Sequence, residues 1–464
     1  MRSGPVLIII GNGITGITAA RYARQHHPQM RIRVISDESD YFFSRTALMY
    51  IFMGHMRLQD TEPYERGFYA TNGIELLRAR VVAIDPLQRS VRLDSNQSLE
   101  YDYLLIACGS RPRYFDWPGQ DLNGVQGLYS LSDLKTLEDR FRGSRMQSAV
   151  IVGGGLIGIE MAEMLHSRNV AVQMLVRESG YWGNVLPAAE SRLIEREIQR
   201  HGIQLHLQTG LQSIAAHLED PDRVGAVITT TGQRLPCDFV GITAGVEPRL
   251  DCVDASGLAI DGGILVDPYQ RTSAERVFAA GDCARLCDGG GNPAAIEQLW
   301  YTGRMQGQVA GRQIAALAWR DAGETGRVDQ IDTSPYQRGF GFNSAKFFTR
   351  EFHTYGQVPP EPESQQTWVW LSADMTRLLR LYWQVKADRT VLSGVNAIGI
   401  RLRHAVFDDW LGAGLAVPTV IHRLDQAIFE PEFGSGVVRL IQRSWYASRQ
   451  QMADPLTAPE ARYG

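Results

Sequence analysis

The hydrophobic pattern of the chain opens with the consecutive apolar residues Val6-Leu7-Ile8-Ile9-Ile10, which stop at the glycine-rich turn Gly11-Asn12-Gly13-Ile14-Thr15-Gly16. A short apolar run bounded by glycine predicts a buried strand, and the alanine-bearing segment after the turn predicts a helix. A second strand is predicted at Ile32-Arg33-Val34-Ile35. This order of strand, G-x-G-x-x-G turn, helix and strand is typical of a βαβ unit that binds a dinucleotide.

Each glycine of the turn has a separate physical role in such a unit. Gly11 permits the tight turn, Gly13 lets the backbone approach a pyrophosphate, and Gly16 lets the helix pack on the strand. Backbone N–H groups at the start of the helix then face the phosphates. Asp37 and Glu38 follow the second strand, where an acidic side chain is expected to hold a ribose hydroxyl.

The same pattern returns in the middle of the chain, with the apolar run Ala149-Val150-Ile151-Val152 and the turn Gly153-Gly154-Gly155-Leu156-Ile157-Gly158. Its second strand is predicted at Val172–Val176 and leads to Arg177-Glu178. Two copies of the unit predict two nucleotide sites. Glu178 suits the ribose hydroxyls of NADH, whereas Arg177 suits the 2′-phosphate of NADPH, and we favour NADH.

Three further apolar runs predict buried strands, and each is followed by a glycine. Tyr103–Ile106 leads to Gly109, and Phe239–Ile242 leads to Gly245. A third run, Val277–Ala280, would deliver the Asp282 carboxylate beside a bound cofactor, where it can accept a hydrogen bond from a ribityl hydroxyl. A helix is predicted from Ala295 to about Leu317, with an N-terminal dipole that suits the negative N1–C2=O edge of a reduced flavin.

Composition and charge argue against several classes of function. A net charge of −4 and a pI near 6.2 give no case for binding nucleic acid or an anionic membrane. No apolar run approaches the roughly 18 residues of a membrane helix, so no integral membrane segment is predicted and the expected location is cytoplasmic. The five cysteines are scattered without metal-ligand spacing, and no metal site is predicted. Cys283 and Cys287 have a spacing that suits one helix face, and we interpret them as small core residues.

Taken together, these motifs resemble a known family. The two glycine-rich turns, the turn Ala107-Cys108-Gly109-Ser110-Arg111-Pro112 and the segment Thr272–Asp282 resemble the two-dinucleotide-binding-domain flavoproteins, the pyridine nucleotide:disulfide oxidoreductase superfamily. The resemblance covers roughly residues 5–320. It is closest to the branch that holds rubredoxin and ferredoxin reductases, the flavoprotein part of NADH-dependent nitrite reductase, and apoptosis-inducing factor.

The resemblance implies an α/β fold with two Rossmann-like domains, in which an NAD(P)H-binding domain is inserted into an FAD-binding domain. Residues 1–118 and 246–330 would form the FAD-binding domain, and residues 119–245 the NAD(P)H-binding domain. Residues 335–450 would form an α+β C-terminal interface domain that caps the flavin. Residues 451–464 are predicted to be a flexible tail.

The resemblance also implies the residues of the site. Those expected to contact FAD are Gly11, Gly13, Gly16, Asp37, Glu38, Arg45, Val81, Ala107, Gly109, Asp282 and Gln298. Those expected to contact NADH are Gly153, Gly155, Leu156, Ile157, Gly158, Glu160, Glu178, Gly245 and Glu297. Glu160 and Glu297 are expected to be the catalytic pair nearest the nicotinamide. From the sequence alone, Arg45 either lies along a phosphate or flavin edge or is a solvated charge.

Three positions depart from the family. Relatives that act on disulfides or peroxide carry a cysteine where this chain has Ser44-Arg45-Thr46, so thiol chemistry on the flavin face is not expected. The branch often has a lysine where this chain has Tyr50, so lysine-assisted tuning of the flavin is expected to be lost. Cys108 replaces the usual threonine, and we interpret it as a packing residue because a buried thiol without a positive neighbour is inert.

The C-terminal region is predicted to mix strands and helices, with aromatic residues around Phe342 that pack in a core, shield the flavin or contact a partner. Strands are predicted at 366–371, 378–385 and 391–399, and helices at 401–411 and 418–428.

The resulting hypothesis is an FAD-dependent NAD(P)H:acceptor oxidoreductase. Hydride would pass from the nicotinamide to flavin N5, and electrons would leave to an external carrier such as a ferredoxin or rubredoxin, without a redox-active disulfide. One alternative is a flavoprotein subunit or redox-responsive interaction protein of a larger complex. Another is a peripheral quinone reductase, which needs an exposed apolar C-terminal helix. The acceptor remains open, as does the choice between a homodimer and a larger redox complex.

Overall fold

The computed structural model describes residues 4–143, 146–288, 290–362, 366–386 and 389–453. These residues form a mixed α/β protein with two parallel sheets of the Rossmann type and an antiparallel sheet near the C-terminus.

The N-terminal stretch begins with the predicted βαβ unit. Its strands pair in parallel and in register, with Ile9 opposite Val34 and also opposite Leu105. Both faces of the first strand are buried, which explains why it reads as a continuous apolar run. The elements of this stretch are β1 (Val6–Ile10), α1 (Ile14–His26), β2 (Arg31–Ser36), α2 (Leu48–Phe52), α3 (Gly67–Thr71), β3 (Ile74–Arg78), β4 (Val81–Asp85), β5 (Ser90–Leu93), β6 (Ser98–Glu100), β7 (Tyr103–Ile106), β8 (Ser110–Pro112) and β9 (Val125–Gln126).

The alternating pattern from Glu75 to Leu93 predicts a small antiparallel sheet, and the structure corrects where it starts. Strands β4, β5 and β6 form this small antiparallel sheet. Strand β3 instead pairs in parallel with β2 and belongs to the main sheet, because the short helix α3 returns the chain to the edge of that sheet.

The second unit repeats the first. Strand order is β12-β11-β10-β16-β9, all parallel, with a separate antiparallel sheet β13-β14-β15. The elements are α4 (Leu131–Gly143), β10 (Ser148–Val152), α5 (Leu156–Ser167), β11 (Ala171–Leu175), α6 (Ala188–Arg200), β12 (Gln204–His206), β13 (Leu211–Ala216), β14 (Val224–Thr229), β15 (Arg234–Pro236) and β16 (Phe239–Ile242).

The chain then returns to the first sheet. Strand order there is β19-β7-β1-β2-β3, and β17 pairs antiparallel with β8, so the outgoing and returning connections lie side by side. The elements are β17 (Val246–Pro248), β18 (Ile264–Val266), β19 (Val277–Ala279), β20 (Ala284–Leu286), α7 (Trp300–Asp321) and α8 (Thr325–Val328). Cys283 and Cys287 flank strand β20 and do not share a helix face. Cys283 is fully buried, in agreement with its interpretation as a core residue, whereas Cys287 is only partly buried.

Helix α7 packs closely along α1. A Cβ at Gly307 would lie 2.4 Å from the Thr15 carbonyl oxygen, and one at Gly311 would lie 2.5 Å from that of Ala19, so only glycine allows this approach. The helix begins at Trp300 and not at Ala295 as expected, because the preceding residues remain extended along the end of β8.

The C-terminal region is an antiparallel sheet with strand order β21-β22-β25-β24-β23, covered by helices. The three strands predicted here are present, and the predicted second helix is interrupted after His422 by a 3-10 turn. The long last helix was not predicted. The elements are β21 (Phe342–Phe347), β22 (Arg350–Gly356), β23 (Thr367–Leu371), β24 (Leu378–Lys386), β25 (Arg389–Ile398), α9 (His404–Gly412), α10 (Val417–His422) and α11 (Pro431–Ala453).

A buried ion pair joins this sheet to the second unit. Arg380 on β24 donates to both carboxylate oxygens of Glu190 on α6, at 2.7 and 3.0 Å, and Glu190 is fully buried. Asn396 on β25 donates to the same carboxylate at 3.4 Å. Since removing one partner would leave a buried charge unpaired, this contact holds the C-terminal sheet in one position over the second unit.

The expected tail at 451–464 falls largely outside the described residues; α11 ends at Ala453. Along the part of the chain that the structure describes, no helix combines the length and apolar character needed to cross a bilayer. Within the same ranges, no group of three or more His, Cys, Asp or Glu side chains could hold a metal ion.

Candidate functional site

A cavity of about 1200 Å³ lies at the carboxyl ends of the strands of the first sheet. Its walls come from the first glycine-rich turn, from the start of helix α5 in the second unit, and from strands β21 and β22 of the C-terminal sheet. In an open parallel α/β sheet this edge is where ligands bind. The cavity therefore brings all three parts of the chain to one site.

The first glycine-rich turn forms one end of this cavity. Gly11 has φ +110°, and a Cβ there would lie 2.1 Å from the Ala107 carbonyl oxygen. A Cβ at Gly16 would lie 2.0 Å from the Gly11 oxygen, so both glycines are required by the turn itself. Gly13 is different: it has extended backbone, and a Cβ there would meet no atom within 4 Å. Its open side faces the cavity, where a pyrophosphate was expected.

Arg45 is not a solvated charge. Its two terminal nitrogens donate to Glu38 at 2.7 and 2.5 Å, one of them also donates to the Tyr129 carbonyl oxygen at 2.6 Å, and its guanidinium lies 4.5 Å from the centre of the Tyr129 ring. Burial opposes ionisation of Glu38, but the hydrogen bonds and charge of Arg45 outweigh it and lower the pKa of Glu38. The pair is a fixed, charged part of the cavity wall.

Asp282 lies at the end of strand β19 in the same wall. Its carboxylate accepts hydrogen bonds from the Ser110 hydroxyl at 3.1 Å and from the Tyr129 hydroxyl at 3.3 Å, and Gln298 donates to Ser110 at 3.0 Å. Burial nevertheless raises the pKa of Asp282. The carboxylate thus has two donors and remains exposed to whatever occupies the cavity.

Asp37 already has two cationic partners. Arg249, on the returning connection, donates to it at 2.7 and 3.2 Å, and Arg80 donates to it at 3.0 Å. Burial opposes ionisation of Asp37, but both arginines lower its pKa, with Arg249 the stronger influence. The expected ribose-binding carboxylate is therefore held ionised in the wall.

The structure places most of the expected FAD-binding residues along one surface. Those that line the cavity are Gly11, Gly13, Asp37, Glu38, Arg45, Val81, Ala107, Gly109, Asp282 and Gln298. Gly16 does not line it, because it lies beneath the turn and packs against Gly11.

The second glycine-rich turn repeats the geometry of the first. Gly153 has φ +124°, and a Cβ there would lie 2.5 Å from the Thr243 carbonyl oxygen. A Cβ at Gly158 would lie 2.5 Å from the Gly153 oxygen, whereas one at Gly155 would meet nothing within 4 Å. Gly245 also faces open space with φ +124°. Of the residues expected to contact NADH, Leu156, Ile157 and Glu160 reach the large cavity.

Glu178 lies three residues beyond the end of β11. Its side chain is 28% exposed and lies 3.7 Å from the 82%-exposed side chain of Arg177. The two opposing signals for NADH and NADPH are therefore adjacent in space as well as in sequence.

The two expected catalytic carboxylates are not brought together on the wall. Glu160 lines the cavity, and burial together with the charge of Glu163 raises its pKa to about 7. Glu297 is not among the described lining residues. Its carboxylate accepts hydrogen bonds from the Tyr336 hydroxyl at 2.5 Å and from Gln306 at 3.2 Å. Glu297 thus links the segment before α7 to Tyr336 and Gln306 by hydrogen bonds. Its neighbour Gln298 lines the cavity.

The C-terminal sheet contributes wall residues that sequence reasoning did not name. Lys346 on β21 pairs with Glu163 at 2.8 Å and lies 5.8 Å from the centre of the Tyr50 ring. The structure thus brings a lysine of another strand near Tyr50, and the expected loss of lysine-assisted flavin tuning stays a prediction. His353 and Arg401 also line this side. No local motif marks these residues, because they reach the cavity through the antiparallel sheet.

Comparison with known proteins is consistent with this geometry. The family model described as pyridine nucleotide-disulphide oxidoreductase matches residues 5–313. The biphenyl dioxygenase system ferredoxin–NAD(+) reductase component of Paraburkholderia xenovorans (strain LB400) is 32% identical over 305 residues, covering 66% of this chain and 73% of that protein. The rubredoxin-NAD(+) reductase of Pseudomonas putida is 28% identical over 280 residues, covering 60% and 71%.

A solved structure shows the same fold over nearly the whole chain. The NAD-dependent persulfide reductase from A. fulgidus superposes with a TM-score of 0.78 at 22% identity, covering 96% of this chain and 84% of that one. At that identity the likeness concerns the fold, and it includes the C-terminal region that the family model leaves out.

Proposed function

The chain belongs to the pyridine nucleotide-disulphide oxidoreductase family, and from this premise we propose that it passes electrons from NAD(P)H to a small iron–sulfur or rubredoxin-like protein. It is an FAD-dependent NAD(P)H oxidoreductase. The observation that carries the proposal is the single cavity that runs from the first glycine-rich turn to the first residues of helix α5.

The residues present fit both nucleotides. A side chain at Gly13 or Gly155 would enter open space, which is where a pyrophosphate must approach the backbone. Both turns lead directly into helices, whose first N–H groups favour phosphate oxygens. The Asn12 side-chain oxygen is buried and lacks a partner among the described residues, so a donor group of a ligand would satisfy it.

When bound, FAD accepts hydride from the nicotinamide and releases electrons to the carrier. The residues of the wall would hold and orient it. The ion pair of Arg45 with Glu38 is locked by Tyr129 and does not need to reorganise, and Asp282 is placed to accept hydrogen bonds from ligand hydroxyls. A wall fixed in advance in this way favours one orientation of the bound group.

Glu160 would act electrostatically and not as a nucleophile. Above a pH of about 7 its side chain is a carboxylate, and below that pH it is neutral. A carboxylate beside the nicotinamide would stabilise the positive charge that the ring gains when it loses hydride. Lys346 balances the charge of the neighbouring Glu163 and so limits its effect on Glu160.

Transfer to an external carrier, with no disulfide relay, is supported by two observations. Arg45 stands where disulfide-handling relatives carry cysteine, and all five cysteines of the chain are free thiols. Two similar proteins are named for a ferredoxin and for rubredoxin as their partners. The proposed division into FAD-binding, NAD(P)H-binding and interface domains is supported by the three five-stranded sheets, one in each proposed domain. The boundaries are those given above.

The test is anaerobic reduction of the FAD-loaded chain. We expect NADH to bleach the flavin absorbance rapidly and a ferredoxin or rubredoxin, added next, to restore it. Parallel reactions with NADPH decide the nucleotide. Failure of both nucleotides to bleach the flavin would overturn the reductase assignment, whereas bleaching without reoxidation by any small carrier would overturn the proposed acceptor.

Helix α11 favours a second candidate, reduction of a quinone at a membrane surface. This 23-residue helix exposes Phe433 and Leu440, whose side chains are 85% and 54% exposed and lie seven positions apart on one face. Sedimentation with anionic vesicles tests it, with Phe433→Ser/Leu440→Ser as the matched variant. Equal sedimentation of both proteins would exclude this candidate.

A further inference from the structure

A buried tyrosine donates a hydrogen bond to the second glycine-rich turn. The Tyr181 hydroxyl donates to the Gly155 carbonyl oxygen at 2.8 Å, and Tyr181 is fully buried. Burial and, after it, the charge of Glu160 raise the pKa of Tyr181, so the hydroxyl keeps its proton and remains a donor. Tyr181 is not among the described residues that line the cavity, so it acts on a bound nucleotide through the backbone of the turn.

The first glycine-rich turn shows what this hydrogen bond adds. The Gly13 carbonyl accepts the Ile17 N–H of its helix at 3.0 Å, and the Gly155 carbonyl accepts the Ile159 N–H of its helix at 3.3 Å. The Gly155 oxygen is shared between this N–H and the Tyr181 hydroxyl, and its bond to the helix is the longer of the two. The second turn thus receives a donor from outside the glycine motif.

The segment that carries Tyr181 is fixed from two sides. Its N–H donates to Glu195 on α6 at 2.8 Å. The next residue, Trp182, has φ +55°, a left-handed backbone that a bulky residue rarely adopts. The Trp182 ring lies 6.3 Å from the ring of Phe347 and 5.9 Å from that of Phe352, both on the C-terminal sheet. Strained backbone persists only where its surroundings fix it, so these contacts hold the Tyr181 hydroxyl in place.

The hydrogen bond acts on an N–H group that faces the nucleotide site. The Gly155 carbonyl and the Leu156 N–H belong to one planar trans peptide and point in opposite directions. Leu156 is the first residue of helix α5 and lines the cavity, and its N–H has no partner within the helix. Fixing the carbonyl therefore fixes the direction of this N–H. A donor on the carbonyl also polarises the peptide and strengthens the N–H as a donor.

We propose that Tyr181 is a positioning residue for the pyrophosphate of NAD(P)H: its hydroxyl orients and polarises the Gly155–Leu156 peptide, whose N–H binds a phosphate oxygen. This inference rests on the proposed function, because it requires NAD(P)H to bind at the second turn. The pyrophosphate takes no part in hydride transfer, so the hydroxyl contributes equally to the bound state and to the transition state. It should set the affinity for the nucleotide and leave the hydride step unchanged.

The test compares the FAD-loaded unmodified chain with Tyr181→Phe, which keeps the buried ring and removes only the hydroxyl. In anaerobic stopped-flow mixing, we expect the NADH concentration that gives half the maximal bleaching rate to rise about fivefold. The limiting rate should change by less than about twofold. Bleaching by 1-benzyl-1,4-dihydronicotinamide, a hydride donor without phosphate, should be equal in the two proteins.

Tyr355→Phe is the matched control. Tyr355 is also buried, and its hydroxyl donates to a backbone carbonyl oxygen, that of Leu402 at 3.4 Å, within the C-terminal region. This variant should bind NADH as the unmodified chain does. A rise equal to that of Tyr181→Phe would show that any lost tyrosine hydroxyl weakens binding, and would overturn the proposal.

Leu156→Pro provides a second, independent variant. It removes the N–H itself at the first helical position, where proline is accepted. It should weaken NADH binding, and adding Tyr181→Phe should weaken binding no further, because both changes act on one N–H. Additive losses would overturn the proposed route through this peptide.

The remaining outcomes are equally decisive. An unchanged half-saturating NADH concentration in Tyr181→Phe, equal slowing with the phosphate-free donor, or loss of the flavin would each overturn the role of Tyr181 and leave the proposed function standing. Absence of bleaching by NADH and NADPH in the unmodified chain would overturn the proposed function, and this inference with it.

Discussion

The two glycine-rich turns of this protein share their backbone and differ in their surroundings. Gly13 has φ −90° and ψ −175°, and Gly155 has φ −98° and ψ −173°, each with open space where a side chain would be. After the first turn, the acidic residues at the end of β2 are fixed by Arg45 and Arg249. After the second, Glu178 pairs at 3.7 Å with Arg177, whose side chain is 82% exposed.

This difference separates a site built to retain its ligand from one built to exchange it. A wall of ion pairs that is already assembled loses little entropy when a ligand binds, and it favours long residence. At the second turn the arginine of the ion pair is exposed, so the pair is weak and does little to hold a bound nucleotide. This contrast supports the proposal of a resident FAD in the first unit and an exchanging NAD(P)H in the second.

The largest expected effect comes from adding a side chain at Gly13 or Gly155, the open glycine of each turn. Gly13→Val should fold, because its backbone is extended and its Cβ position is empty, but the added side chain should weaken FAD binding by about 100-fold or more and give a colourless protein. Gly155→Val should stay yellow and lose rapid bleaching by NADH. The flavin absorbance of the purified proteins and anaerobic stopped-flow mixing measure these outcomes. Identical behaviour of the two variants would contradict the division of roles.

The next effect concerns the ion pairs around the turns. Arg45→Met should lower the free energy of unfolding by about 2 kcal/mol or more, because Glu38 would be left partly buried without its partner. Arg177→Met, at the exposed rim, should change it by less than about 0.5 kcal/mol. Urea unfolding followed by circular dichroism provides both values.

A double variant sharpens this test. Arg45→Met combined with Glu38→Gln should recover much of the loss, because no unpaired charge remains. If Arg45→Met lowers the free energy of unfolding by no more than Arg177→Met does, the ion pair of the first unit is no more stabilising than that of the second.

The smallest effect is one of pH. The pKa of Glu160 is raised to about 7 in the folded protein, so its favourable neutral form is lost as pH rises through that value. Glu160→Gln should therefore be more stable than the unmodified chain above pH 7, by about 1 kcal/mol after allowance for its partial exposure. Bleaching by NADH should accelerate through the same pH range in the unmodified chain and stay flat in Glu160→Gln.

Glu163→Gln provides the control for this pH effect. Removing the neighbouring charge should move the inflection to lower pH, because Glu163 contributes to the raised pKa of Glu160. An unchanged inflection would show that burial alone sets it.

Much of the fold was predictable because its signals are local. The apolar strands and glycine turns of both units, the small antiparallel sheet and the strands of the C-terminal sheet each depend on residues adjacent in sequence. Helix α11 was missed because its buried residues, Val438, Ile441 and Trp445, are separated by exposed apolar side chains that blur its pattern.

The site was predictable only where one segment carries it. Asp282 was named because it follows a recognisable strand, and Gln298 was named from the family resemblance; both line the cavity. Glu297 was paired with Glu160 on the family resemblance, which does not show where the side chain points. In the segment before helix α7, Gln298 lines the cavity, whereas Glu297 accepts a hydrogen bond from the Tyr336 hydroxyl.

By itself, the sequence determined the two strand–turn–helix units, since a turn without room for a Cβ selects glycine whatever surrounds it. Only the tertiary structure decided the partners of those units. Arg249 reaches Asp37 across 212 positions, and Lys346 reaches Glu163 across 183. These contacts depend on how the chain returns to its first sheet and closes over it, and no spacing along the sequence encodes that path.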